Sequence, residues 1–117
     1  MRSSLGAWTA LVDLFVSYSH QNGIDPFIGR RVPRLLRDAG IADVAINPVV
    51  HVFPPGHGGR TVLLEFAENL SDRFVDTGLV RDVELRELKA ALKQHLAAND
   101  TVVVSCLFIQ AWGRKAS

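Results

Sequence analysis

Residues 101–112 read TVVVSCLFIQAW, a run so apolar that it has the pattern of a strand covered on both faces. Gly113 is expected to end it. The other β-rich stretch, residues 43–53, reads DVAINPVVHVF: Val44 and Ile46 alternate before Pro48, and Val50 and Val52 alternate after it. Proline cannot donate to a ladder, so this strand belongs at a sheet edge or at a bulge. Two strands alone make a marginal sheet, and a strand as apolar as 102–111 wants neighbours on both sides. Something beyond these two strands must therefore cover the open edge. The long connection between them does not decide whether they run parallel or antiparallel.

Around these strands the periodicity is helical. Trp8, Leu11, Val12, Phe15 and Val16 recur at three-to-four spacing, with Ser3 or Ser4 placed to cap, and this helix should end between His20 and Gly23. Asp25-Pro26 starts a new turn at residues 27–31. Pro33 interrupts the ladder there, and a short helix follows that should bury Val32, Leu35, Leu36 and Ala39, with Gly40 as a left-handed cap and Ile41 packing back. After the exposed loop PPGHGG, Thr61 opens a helix with Leu63, Phe66, Ala67, Leu70 and Phe74 on one face, stopped by Gly78. Asp82 is expected to cap a last helix that buries Leu85, Leu88, Leu92 and Leu96.

Composition bounds the function classes. The 117 residues suffice for one modest core, so a single unit over residues 1–117 is expected. Thirteen Lys and Arg against twelve Asp and Glu leave a net charge of +1, which argues against binding nucleic acid or an anionic membrane through charge alone. Arg30, Arg31, Arg34 and Arg37 form only a small basic patch. Cys106 is the single cysteine; with no disulfide and no Cys-based metal site available to it, it reads as core packing in a reducing cytosol. No apolar run approaches the roughly 20 residues of a membrane span, and a cytoplasmic protein is the default.

The stretch 25–41, DPFIGRRVPRLLRDAGI, followed at once by the strand DVAINPVV, resembles the closing half of class I S-adenosylmethionine-dependent methyltransferases. In that family an Asp-Pro-x-Ile-Gly-Arg-Arg-x-Pro-x-Leu-Leu helix ends in Ala-Gly and an apolar residue and leads into the sixth strand. The ending FIQAWGRK, residues 108–115, is similar to the family's last strand with its Ala-Trp-Gly-Arg-Lys finish. The resemblance implies an α/β fold, the C-terminal portion of a Rossmann-like methyltransferase domain, with helices and a two-stranded antiparallel edge of a larger sheet. It implies that residues 44–53 are the sixth strand and 101–112 the seventh, which in the family inserts antiparallel between the fifth and sixth. It further implies transfer of a methyl group from S-adenosylmethionine to a small organic acceptor in the complete form.

The family's cofactor site, a Gly-rich turn after the first strand and an acidic residue ending the second, has no counterpart here. Gly56, His57, Gly58 and Gly59 make the only Gly-rich loop, and it lacks the spacing. The expectation is therefore a truncated chain without the N-terminal cofactor-binding half, which binds no cofactor alone and is inactive alone. Its partners would be a small-molecule acceptor and either a second copy or a separate cofactor-binding half. A non-catalytic module that dimerises through its open strand edge is the alternative.

Six residues are substrate-pocket candidates. Trp8 and Tyr18 sit on the first helix, which in the family often forms part of the substrate wall; an aromatic stripe of this kind equally serves a core. His20 lies close to Asp25 and suggests a proton relay, although a helix-end His and a capping Asp explain both. Arg30 and Arg31 can clamp an anion or form structural ion pairs. His51 either lines a cleft or faces solvent at an edge. Glu65, Glu68 and Asp72 read as a solvated helix face, no nucleophile has a recognisable base, and no catalytic or metal-binding set emerges.

Overall fold

The structure, a computed structural model, describes residues 4–115. It holds four α-helices and four strands: α1 (Ser4–Gln21), α2 (Val32–Asp38), β1 (Ile41–Val49), β2 (Val52–Phe53), α3 (Val62–Asp76), α4 (Asp82–Leu96), β3 (Val103–Val104) and β4 (Phe108–Lys115). Short 3₁₀ turns at Ile28–Arg30 and Gly58–Thr61 precede α2 and α3. The architecture is mixed α/β. None of the described helices is long and apolar enough to cross a membrane.

The described chain divides into two compact units, one made of its residues up to Ile24 with Phe53–Val103, the other of Asp25–Val52 with the described residues from Val104 on. The first is helical, with α1 packed on α3 and α4, and α3 on α4. Its core is Ala7, Leu11, Leu64, Ala67, Phe74, Val80, Leu85, Leu88, Leu92, Leu96 and Val103. All four leucines expected from the period of α4 are in it. Burying each such side chain contributes about 1.5–3 kcal/mol. Edge-on contact of Tyr18 with Phe74, ring centroids 5.6 Å apart, joins α1 to α3, and Lys89 Nζ donates to Ser71 Oγ at 2.9 Å between α4 and α3.

Helix ends follow the glycines. Behind α1, Ile24 N–H reaches Ser19 O at 2.8 Å and Gly23 N–H reaches His20 O; behind α3, Leu79 N–H reaches Phe74 O and Gly78 N–H reaches Val75 O. Both are the paired reverse bonds of a left-handed cap, which Gly23 and Gly78 adopt without a Cβ penalty. The start of α1 is at Ser4; the other proposed cap, Ser3, lies outside the described residues.

The second unit is an antiparallel ladder of β1 and β4 with α2 packed against both strands. The register runs from Ile41 opposite Lys115 to Val49 opposite Phe108. Glycine at 113 is what lets the strands close: a Cβ there would lie 2.7 Å from Ala42 O and against the Ile41 side chain. Gly113 therefore sits inside β4 and does not end it. Asn47 and Gln110 bridge the ladder side chain to side chain, at 2.9 Å.

Several expectations are corrected. The 43–53 segment is not one strand: β1 stops at Val49, and Val50 and His51 separate it from β2. Of the two places expected for Pro48 the strand takes the edge: Pro48 keeps its register opposite Ile109 in a two-stranded ladder, and the irregularity lies between Ala42 and Ala45, with Asp43 at a φ of 54°, a conformation Asp tolerates. The 101–112 segment is likewise broken, into β3 and β4, because Ser105 turns its N–H to His51 O and accepts His51 N–H on Oγ, each at 2.8 Å. It is not covered on both faces, since Val104, Leu107, Phe108 and Trp112 are exposed, as is Cys106. In α2 the buried residue is Pro33, while Leu35 and the C-cap Ala39 are exposed on so short a helix. In α3, Leu64 takes the buried position and Phe66 is 51% exposed, because three consecutive apolar residues at 62–64 offer two neighbouring stripes. In α1, Ala7 and Leu11 are buried and Val12 is exposed. Arg81, not Asp82, is the N-cap of α4; Asp82 is its first residue and takes Arg86 one turn on.

Candidate functional site

The six candidates divide between the two units. Trp8 and Tyr18 pack against the helical core, and Tyr18 Oη accepts from Arg73 Nη1 at 3.3 Å. His20 is exposed in the last turn of α1, where the carbonyl end of the helix favours a cation. Arg30, Arg31 and His51 belong to the ladder unit.

Around Asp25 the polar groups are tied together locally. Phe27 N–H donates to Asp25 Oδ1 at 2.9 Å, the side-chain turn typical of Asp, and Arg31 Nη1 donates to Oδ2 at 3.2 Å. The Phe27 N–H bond, joined by the hydrogen bond and charge of Arg31, holds the Asp25 carboxyl below the usual carboxylate range. Arg30 lies over the Phe27 ring, 5.1 Å from its centroid. Arg31 thus fastens the turn ahead of α2, and Arg30 is an exposed residue. His51 meets the Phe108 ring edge-on, at 5.7 Å between centroids, and it stands between strands and not within one.

The Gly-rich loop is occupied with its own packing. A Cβ on Gly59 would stand 2.6 Å from the Phe53 ring, the Gly59 N–H donates to His57 Nδ1 at 2.9 Å, and the His57 ring stacks near Phe53 with centroids 4.8 Å apart. The smallness of Gly59 serves the Phe53 ring, and its N–H is not directed to a ligand. The loop is thus committed, at Gly59 and His57, to the chain's own packing.

A cleft of about 260 Å³ opens in the helical unit, lined by Ala10, Asp13, Leu14, Ser17, Leu79, Val80, Glu84 and Leu88. None of the six candidates lines it. Among the described residues no His, Cys, Asp and Glu side chains gather into a metal-binding group.

One residue with a definite task escaped the sequence reading. Arg60 is 4% exposed, and its guanidinium donates to Leu96 O (2.9 and 3.3 Å), Phe53 O and Thr101 O (both 3.0 Å), Ala98 O (3.5 Å) and Thr101 Oγ1 (2.9 Å). It caps the last carbonyl of α4, that of Leu96, and pins the segments on either side of the helix pair. A cation at the negative end of a helix is well placed, and the five guanidinium donors match this ring of carbonyls. An Arg after two glycines carries no sequence signal of burial.

Comparison with protein-family models, with curated proteins and with solved structures gives no match.

Proposed function

We propose that the chain is the acceptor-side, C-terminal part of an S-adenosylmethionine-dependent methyltransferase. The observation that carries this reading is the meeting of the two segments that resemble the family. DPFIGRRVPRLLRDAGI supplies the 3₁₀ turn and α2, FIQAWGRK is β4, and the two share one compact unit with β1 although most of the chain separates them. A Cβ on Gly29 would touch Ile109 at 3.4 Å, so the Ile-Gly-Arg-Arg turn lies directly on the last strand. The antiparallel pairing of β1 with β4 is the arrangement the resemblance implies.

On this reading the chain's contribution is to shape the acceptor's surroundings, and catalysis is chiefly positioning of the acceptor nucleophile in a site that excludes water. The cofactor is held by residues outside 4–115. Because a fold hosts many chemistries, cofactor binding is the decisive test. The chain alone gives no heat on titration with S-adenosylhomocysteine, whereas the chain extended in frame by an upstream strand and Gly-x-Gly-x-Gly turn binds it. Binding by the chain alone, or an extended frame without such a turn and without binding, overturns the proposal.

A further inference from the structure

We propose that the free edge of β4 is a self-recognition surface that pairs antiparallel with β4 of a second copy, about a two-fold axis through Gln110. The inference concerns this chain by itself and stands on the strand, not on the methyltransferase reading; on that reading an upstream strand takes the same edge of β4, so extension of the chain by that strand replaces the second copy. The two edges of the ladder differ. β1 carries Pro48, which has no N–H, and the irregularity at Asp43, both features that discourage a further strand. From Phe108 to Trp112, β4 carries neither, and among the described residues β1 is its one ladder neighbour, which leaves its other row of backbone groups for a partner.

The strand's own sequence selects the occupant. In an antiparallel pair directly opposite residues share a face. About Gln110, Phe108 falls opposite the partner's Trp112, and Ile109 falls opposite the partner's Ala111. Rings that are 47% and 55% exposed in the single chain thereby form two cross-strand aromatic pairs on one face. On the other face a large side chain meets a small one. Gln110 meets the partner's Gln110, two amides that can each donate and accept. Charge favours one direction: the cations of β4 lie only at its end, Lys115 and an Arg114 that is ion-paired with Asp43. Antiparallel pairing places them opposite the partner's Cys106 and Ser105, whereas parallel pairing sets like charges side by side.

Light scattering on the full chain tests this at about 100 μM, where a micromolar complex is largely formed. The wild type has twice the chain mass. Gln110→Lys and Gln110→Glu each set like charges on the axis and halve the mass, and an equal mixture of the two restores the dimer, which loss of folding would not. For a readout independent of those variants, Gln110→Cys in a Cys106→Ser background gives a covalent dimer under mild oxidation, because opposite positions of paired strands lie within disulfide reach. A monomeric wild type, a dimer untouched by either charge at Gln110, or no cross-link overturns the proposal; among these, a monomer that binds a separate cofactor-binding polypeptide identifies that polypeptide as the occupant of the edge.

Discussion

Asn47 Nδ2 donates to Gln110 Oε1 at 2.9 Å across 63 residues of sequence, a bond that exists only when β1 and β4 lie in register. The ladder it marks brings the Asp-Pro turn, α2 and the Ala-Trp-Gly-Arg-Lys strand into one unit, and the functional reading depends on that unit holding together.

Gly113→Ala strikes the ladder most directly. The added Cβ meets Ala42 O at 2.7 Å and the Ile41 side chain, and backbone cannot yield as a flexible side chain does. The expected loss is about 1–3 kcal/mol, seen as faster amide exchange across β1 and β4 while α4 retains its protection.

Arg60→Met leaves the carbonyls of Leu96, Phe53 and Thr101 without their donor in a buried place. A cost on the order of 3 kcal/mol is expected, read as a fall in the urea midpoint. Arg60→Lys recovers only part of it, because an ammonium offers three donors from one point and cannot span the ring of oxygens.

Leu92→Ala empties a fully buried position between the helices. Cavity formation of this kind costs about 2–5 kcal/mol, whereas Val83→Ala, on the exposed side of the same helix, should lie within about 0.5 kcal/mol of wild type. Equal losses at the two positions would contradict the assigned face of α4.

Asp25 links the ladder unit to pH. Its folded-state pKa is lowered, so its contribution is present above the unfolded value of about 3.9 and is lost as pH falls through the lower, folded one. Asp25→Asn is expected to remove that acid-dependent part and leave stability near neutrality less dependent on Arg31. NMR titration of the Asp25 carboxyl checks the sign directly: a midpoint above the ordinary Asp value would refute it.

Leu85, Leu88, Leu92 and Leu96 were legible because a single stripe of one residue type leaves a helix one way to turn. The face of α3 was legible at Ala67 and Phe74, with Leu63 and Leu70 packed against the core, but not at Phe66: Val62, Leu63 and Leu64 are consecutive, and packing buries Leu64 while Phe66 stays exposed. Both strand segments were located, but their breaks at Val50 and Ser105 arise from the reciprocal bonds of His51 and Ser105, a pairing between positions 54 residues apart. Local pattern carries no such information. The candidate residues fared similarly: Asp25 as a turn-forming carboxylate is written in Asp-Pro, while Arg60 becomes visible only when α4 ends above it.

The most direct test of the central claim is calorimetric titration with S-adenosylhomocysteine of this chain and of the same chain extended in frame upstream. The account predicts no binding by the chain alone and binding once a strand and Gly-x-Gly-x-Gly turn are joined to it; binding by the chain alone, or none by the extended form, would contradict it.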